Sequence, residues 1–319
     1  MQLTLNLARL QEYSLKILGY PAELETLNIS KLEGGLVAAG VYRHDLTFQP
    51  ADGSPKTVSV VQKFSNASEV QVMQLLNEMP TPEAVPRLID AACDPTTADP
   101  WANWFITPYY KGVELTFDDD IPLPVLASLA RIHAYFAPQA GQLSWLPQVN
   151  TDFFRAVCDN ALGVLDQALA EKPHPIFTAA RSHVAQVREL PVLYEALAAL
   201  PVTLIHRDVH PGNIITTPDG ASILFDWGNA CLAPAMLDLA NMVKRDSLGW
   251  FHYLASWEAA AGQPADLEQA RLGYHWATVM VNLQYLPYAI AYRPPERVQE
   301  MVDRLLEAVK RIETGSGPV

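Results

Sequence analysis

A chain of 319 residues that is 50% hydrophobic and 18% charged has enough apolar material to bury a real core, and its length predicts roughly two domains or lobes of about 100 to 200 residues each. With 35 Asp and Glu against 22 Lys and Arg the formal net charge is −13, and so acidic a chain repels nucleic-acid phosphates instead of condensing on them. Three dispersed cysteines, Cys93, Cys158 and Cys231, form neither a disulfide framework nor a zinc-type spacing, so the cytoplasm is the expected compartment. The opening MQLTLNLARLQEYSLKILGY carries charges and Gln inside its apolar stretch, unlike a signal peptide. No window approaches about 18 uninterrupted apolar residues, so no membrane span is expected.

From Leu5 to Leu18 apolar residues recur at helical spacing and then meet Gly19 and Pro21, which end a short helix. The period then changes to that of strands. Ile29 to Leu32, Val41 to Phe48 and Thr57 to Phe64 read as an antiparallel meander, with Gly34-Gly35 joining the first pair and Gln49 to Pro55 the second. Ser65 to Ser68 offers N-cap chemistry for a helix reaching Met79, and Val85 to Ile89 and Trp104 to Pro108 complete a five-stranded sheet. Beyond Lys111-Gly112 the texture turns helical: Leu123 to Phe136, Phe153 to Leu169, Ile176 to Leu200, Leu237 to Trp257, Leu267 to Tyr288 and Pro295 to Ile312. Short β-rich runs at Val202 to Ile205, Asn213 to Thr216 and Ser222 to Phe225 interrupt it. The organisation expected is a lobe over residues 1–111 and a second over 112–319, the latter carrying 23 acids and 14 bases, hence −9 of the −13.

The β-rich interruption carries the chemistry. In Ile205-His206-Arg207-Asp208-Val209-His210-Pro211-Gly212-Asn213-Ile214, followed by Asp226-Trp227-Gly228, three oxygen-bearing side chains, Asp208, Asn213 and Asp226, sit on loops beside short strands. That donor set suits a hard cation such as magnesium. Phosphoryl transfer calls for such a set: one carboxylate for the proton of the attacking hydroxyl, and an amide oxygen and a second carboxylate for metal against the phosphates.

The pattern H-x-D-x-x-x-x-N followed by D-x-G, here His206, Asp208, Asn213, Asp226 and Gly228, resembles the aminoglycoside phosphotransferase and choline kinase families of the kinase-like fold. The resemblance implies an α+β, bilobal fold with a small antiparallel-sheet lobe and a larger helical lobe. It implies that Asp208 is the catalytic base, that Asn213 and Asp226 bind magnesium, that His206 supports the loop, and that Asp238 of Asp238-Leu239-Ala240 braces it. Upstream, Lys63 matches the phosphate-binding lysine and Glu69 its ion-pair partner. Gly34 and Gly35 match a glycine loop over the phosphates, Pro108 and Tyr109 the stretch that meets the adenine, and Leu129 to Ala134 a helix ending L-x-x-x-H-A. The short run from Asp226 to Asp238 leaves no room for a protein-kinase activation segment.

Several residues also carry blander readings. His210 is expected to be a polar loop residue bonded to backbone, Arg207 is given no chemistry, and Cys231 is expected to be a small buried residue. The C-terminal aromatics, among them Trp227, Trp250, Tyr253, Trp276, Tyr285, Tyr288 and Tyr292, are expected to be mostly core. With Asp118, Asp119, Asp120 and Asp246 some could instead cage an ammonium group, whereas in the plainer reading Asp118 to Asp120 cap the next helix. The expected activity is transfer of the ATP γ-phosphoryl group, with magnesium, to a hydroxyl of a small cationic molecule. By the resemblance that molecule is aminoglycoside-, choline-, ethanolamine-, homoserine- or methylthioribose-like. A pseudokinase that binds nucleotide and regulates a partner is the alternative; the joint presence of Lys63, Asp208, Asn213 and Asp226 argues against it.

Overall fold

The structure, a computed structural model, describes residues 10–32, 40–51, 53–80, 83–97, 99 and 101–315. Gly34 and Gly35, and the start of the opening helix at Leu5, lie outside the described residues. In chain order the first elements are α1 (Leu10–Leu18), β1 (Glu23–Lys31), β2 (Gly40–Gln49), β3 (Lys56–Phe64), α2 (Ala67–Glu78), β4 (Asp90–Ala92), β5 (Trp104–Pro108) and β6 (Val113–Glu114). Then come α3 (Leu123–Phe136), α4 (Thr151–Glu171), α5 (Pro175–Arg188), α6 (Pro191–Ala199), β7 (Val202–Ile205), β8 (Ile214–Thr216), β9 (Ser222–Leu224) and β10 (Cys231–Pro234). The chain closes with α7 (Leu248–Ala261), α8 (Leu267–Tyr292) and α9 (Pro295–Thr314). Two compact units result: residues 1–115 with 212–229, and residues 116–211 with 230–319. The segment 212–229, beyond the boundary read from the sequence, is thus gathered with the first unit.

In the first unit a five-stranded antiparallel sheet runs in the order β1-β2-β3-β5-β4. Alternation along β2 sends Leu46 and Phe48 to the face where Val60, Ile89, Ile106 and Tyr13 are also buried. β1 begins earlier than its apolar run suggests, because its first residues, Glu23 to Asn28, are mostly exposed on an edge strand and carry little hydrophobic signal. The strand expected at Val85 to Ile89 is displaced to Asp90–Ala92. Before that point side chains take up much of the backbone's bonding: Asn77 Nδ2 donates to the Pro86 carbonyl at 3.2 Å, Asn77 Oδ1 accepts from Leu88 N at 2.6 Å, and Tyr110 Oη accepts from Arg87 N at 2.8 Å. A second sheet, β6-β8-β9, belongs to the same unit.

The second unit is mostly helical. The stretch expected as one helix over Ile176 to Leu200 is two, because Pro191, which has no N–H to give, starts α6 as its first residue. The helix expected over Leu237 to Trp257 begins only at Leu248, where Ser247 Oγ accepts from Trp250 N; Asp246 just before it is left-handed at φ 61°. Trp250, Tyr253, Trp276 and Phe154 are fully buried, and Trp276 Nε1 donates to the Leu193 carbonyl at 3.1 Å. In α9, Val298, Met301, Val302, Leu305, Ala308, Val309 and Ile312 form one buried stripe at three- and four-residue intervals, packed on α8. Among the described residues no helix is long and apolar enough to cross a membrane.

One partly buried contact in this unit makes stability depend on pH. His275 Nε2 lies 2.8 Å from Arg245 Nη1, and burial first, then the positive charges of Arg245 and Arg311, push its pKa from 6.5 down to about 4. Above about pH 6.5 both the folded and unfolded states hold it neutral; between there and about 4 the unfolded chain takes a proton that the folded one refuses. Stability therefore falls on acidification across this window. His275→Gln is expected to flatten that part of a plot of melting temperature against pH, and an unchanged slope would count against the assignment.

Candidate active site

The first unit brings one cation and two carboxylates together. Lys63 lies on β3, between β2 and β5, opposite Val41 and Phe105. Its Nζ is 2.7 Å from Glu69 Oε1 and 2.6 Å from Asp226 Oδ1. Glu69 is the third residue of α2, and its backbone N donates to Asn66 Oδ1 at 2.7 Å, so the helix cap that the sequence supplies also fixes where this carboxylate sits. Glu69 is 1% exposed and also accepts from Ser65 Oγ. Burial, the largest influence on Lys63, works against its charge, but the Glu69 and Asp226 carboxylates together outweigh it and hold the ammonium above its ordinary pKa. The cation is therefore kept charged in a mostly buried place.

Asp226 directly follows Phe225 beyond β9 and is left-handed at φ 61°, an uncommon conformation for a non-glycine residue. Its side chain is 46% exposed, unlike that of Glu69. The β8–β9 ladder pairs Ile214 with Leu224, and Phe225 N donates to the Asn213 carbonyl at 2.8 Å, so Asn213 sits beside the residue preceding Asp226. Among the described residues no group of three or more His, Cys, Asp or Glu could hold a metal. A carboxylate and a carboxamide do fit magnesium, which is usually held by one or two protein oxygens, waters and substrate phosphates and not by an all-protein cage.

Pro108 ends β5 opposite Val60, and Tyr109 N donates to the Ser59 carbonyl at 2.9 Å. Pro108 has no N–H and that of Tyr109 is taken by the Ser59 carbonyl, so neither residue has a backbone donor to spare. The Arg43 guanidinium lies 4.4 Å from the centre of the Tyr109 ring.

The second unit holds Asp208 in a braced loop after β7. Asp208 N donates to His206 Nδ1 at 3.2 Å. Asp238 accepts His206 N at 2.8 Å on Oδ2 and Arg207 N at 2.6 Å on Oδ1. Behind it, His133 Nε2 is 3.2 Å from Asp238 Oδ2 and His133 Nδ1 is 2.8 Å from Tyr253 Oη. With Nε2 donating to the carboxylate, Nδ1 is the acceptor and the phenol the donor. Asp238, His133, His206 and Tyr253 are all nearly fully buried. Arg207 is left-handed at φ 67°, with its guanidinium 4.7 Å from the Phe153 ring centre. Nothing in the sequence points to Tyr253 in this chain; the L-x-x-x-H-A pattern marks His133 but not its partner.

Other expectations change. Asp119 does not cap α3, whose N-cap Pro122 has no side-chain bond; it closes a turn by accepting from Thr116 N and Oγ1. His210, expected to bond backbone, stacks on Phe117 with ring centres 5.3 Å apart, and its Nδ1 is buried without a partner. Trp227, Trp250, Tyr253 and Trp276 are core, whereas Phe251, Tyr288 and Tyr292 are exposed. Cys231 is buried, and burial above all pushes its thiol up to about 12, far from a nucleophile.

The chain resembles an aminoglycoside phosphotransferase from Alicyclobacillus acidocaldarius at 14% identity, with 90% of each chain covered and a TM-score of 0.50. It also resembles a choline/ethanolamine kinase family protein from Mesorhizobium loti at 14% identity, over 90% of this chain and 91% of that one, with a TM-score of 0.51. The GDP complex of an aminoglycoside 2′-phosphotransferase variant matches at 13% identity over 98% of this chain and 100% of that one, at a TM-score of 0.51. At these identities the likeness establishes the fold, which is protein-kinase-like. No curated protein matches the sequence. The phosphotransferase enzyme family matches residues 61–275, two thirds of the chain and a span that runs from Val61 on β3 to His275 on α8, and the chain belongs to that family.

Proposed function

We propose that this phosphotransferase moves the γ-phosphoryl group of ATP, with magnesium, to a hydroxyl of a small, amine-bearing molecule. The observation that carries the reading is Lys63, held charged between Glu69 and Asp226. A pinned ammonium of this kind can cradle the α- and β-phosphates while the more exposed Asp226 and Asn213 serve as metal ligands. Magnesium, when bound, would offset the charge on the phosphates. Asp208 accepts the proton of the attacking hydroxyl; Asp238 keeps the loop that carries it in one conformation.

For the acceptor, residues 112–319 carry −9 of the −13 charge, and acidic surroundings concentrate cations and repel anions. The names of the similar structures, an aminoglycoside phosphotransferase and a choline/ethanolamine kinase family protein, point to the same amine-bearing class. The test is ATP consumption against a panel of amino alcohols, aminoglycosides, neutral sugars and carboxylates. The best acceptor is expected to be cationic, with an apparent affinity that weakens as ionic strength rises from 0.01 M to 0.1 M and the Debye length shrinks from about 30 Å to about 10 Å. A neutral or anionic best acceptor whose affinity ignores salt would overturn the amine-bearing class and leave the phosphotransferase standing.

A further inference from the structure

Within the second unit two stacked rings stand beside the Asp208 carboxylate. His210 Nε2 lies 3.9 Å from Asp208 Oδ1, and the His210 ring stacks on that of Phe117 with centres 5.3 Å apart and planes within 14° of parallel. His210 Nδ1 is buried and has no partner. A proton there would be a buried donor without an acceptor, so the neutral ring carries its proton on Nε2, on the side of the carboxylate. The imidazole thus turns a defined edge to Asp208 and a flat face to Phe117.

Phe117 is 71% exposed although one face of its ring lies against His210. It is nevertheless fixed in place. Asp119 accepts from Thr116 N at 2.7 Å and from Thr116 Oγ1 at 2.8 Å, closing the turn in which Phe117 sits. Turn and stack together hold the ring before any ligand arrives, which lowers the ordering cost of binding. The same turn carries Asp118 and Asp120, both exposed, and their charge makes the surroundings of the ring attractive to cations.

An acceptor hydroxyl that gives its proton to Asp208 has to come within about 2.6 to 3.2 Å of a carboxylate oxygen. With His210 Nε2 only 3.9 Å from Oδ1, the molecule carrying that hydroxyl lies alongside the imidazole, whose stacking partner is the exposed Phe117. The geometry points to Phe117 as an acceptor-binding residue that receives the ammonium-bearing part of the acceptor on its ring while the hydroxyl meets Asp208. The face of an aromatic ring attracts a cation through its quadrupole. A neutral group of the same size gains only the apolar contact, and an anionic one is repelled by the neighbouring carboxylates.

This inference rests on the amine-bearing acceptor and on Asp208 as base, and its test keeps the three apart. Phe117→Ala shortens an exposed side chain, and its melting temperature is expected to match that of the wild type. With the best cationic acceptor of the panel, KM is expected to rise about tenfold while kcat stays within about twofold, the pattern of an interaction made equally in ground and transition states. With a neutral counterpart, in which a hydroxyl replaces the ammonium group, KM is expected to rise by no more than about twofold. Phe117→Trp is expected to retain the wild-type KM for the cation; Phe117→Leu, with apolar bulk but no aromatic face, is not. An unchanged KM in Phe117→Ala, an equal rise for both acceptors, or a wild-type KM in Phe117→Leu would each overturn the ammonium-binding role and leave the proposed function standing. A neutral best acceptor of the wild-type protein would instead overturn the amine-bearing class and this inference with it, and wild-type turnover in Asp208→Asn would remove the base assignment on which the placement rests.

Discussion

Asp208→Asn is expected to lower kcat by about 10² to 10⁴, the range that general base catalysis commonly supplies, while nucleotide affinity stays within about twofold. The substitution is nearly isosteric, and the bond from the residue 208 backbone N to His206 Nδ1 does not involve the side chain. What disappears is the charge that accepts the proton. The groups proposed for the nucleotide, Lys63, Asn213 and Asp226, belong to the first unit and keep their side chains in this variant. Steady-state kinetics together with nucleotide-induced melting shifts measure both halves of the expectation. Turnover at the wild-type level would end the assignment of Asp208 as base, and a parallel loss of nucleotide binding would mean that the substitution disturbs more than proton transfer.

Asp226→Ala has the second large effect, and on a different quantity. Removing this carboxylate leaves Lys63 with Glu69 as its ion-pair partner and takes away the charged oxygen of the proposed metal pair. In the wild-type protein, magnesium and ATP at about a hundredfold excess over the dissociation constant should stabilise the fold by about 2.7 kcal/mol, a melting shift of several degrees. The variant is expected to keep the small shift that ATP gives without metal and to lose most of the magnesium-dependent part. Its kcat should fall by about 10³, the size expected when a preorganised charge facing the phosphates is lost. An equal magnesium-dependent shift in wild type and Asp226→Ala would remove Asp226 from the metal site.

How much of this could be read beforehand depends on how far apart in sequence the cooperating groups lie. β2, β3, β5 and α3 were legible because their apolar residues match their buried ones, and the Lys63–Glu69 pair because the resemblance to the kinase-like families implies it. The start of β1 was hidden by the polarity of an edge strand, and the true place of β4 by Asn77 and Tyr110, whose side chains take bonds of the preceding backbone that a ladder would otherwise make. The motif around Asp208, with Asp238-Leu239-Ala240 downstream, names the loop and its Asp238 brace but not the Tyr253 phenol behind His133. Tyr253 sits in an aromatic-rich helix where a phenol bonded to His133 and a phenol in the plain core give the same periodicity. Only the packing of α3 against α7 distinguishes them. The same limit holds for Arg207 and Asp226, whose left-handed backbones carry no residue-type signal of the kind glycine would give.

The chain of bonds from Tyr253 through His133 to Asp238 has a consequence for motion. Catalytic segments are often drawn from the parts of a fold that open most easily, and their amide hydrogens then exchange with solvent within seconds. Here the amides of His206 and Arg207 donate to a carboxylate that is itself fixed by a histidine on α3 and a tyrosine on α7, all nearly fully buried. Freeing either hydrogen requires α3 and α7 to part, which is a sub-global opening and not the flicker of a surface loop. Deuterium should therefore enter this loop as slowly as it enters the helical core. On the proposed function, the acceptor would meet at Asp208 a base whose scaffold is as rigid as the interior, and any adjustment needed for recognition would come from the acceptor or from exposed groups such as Phe117.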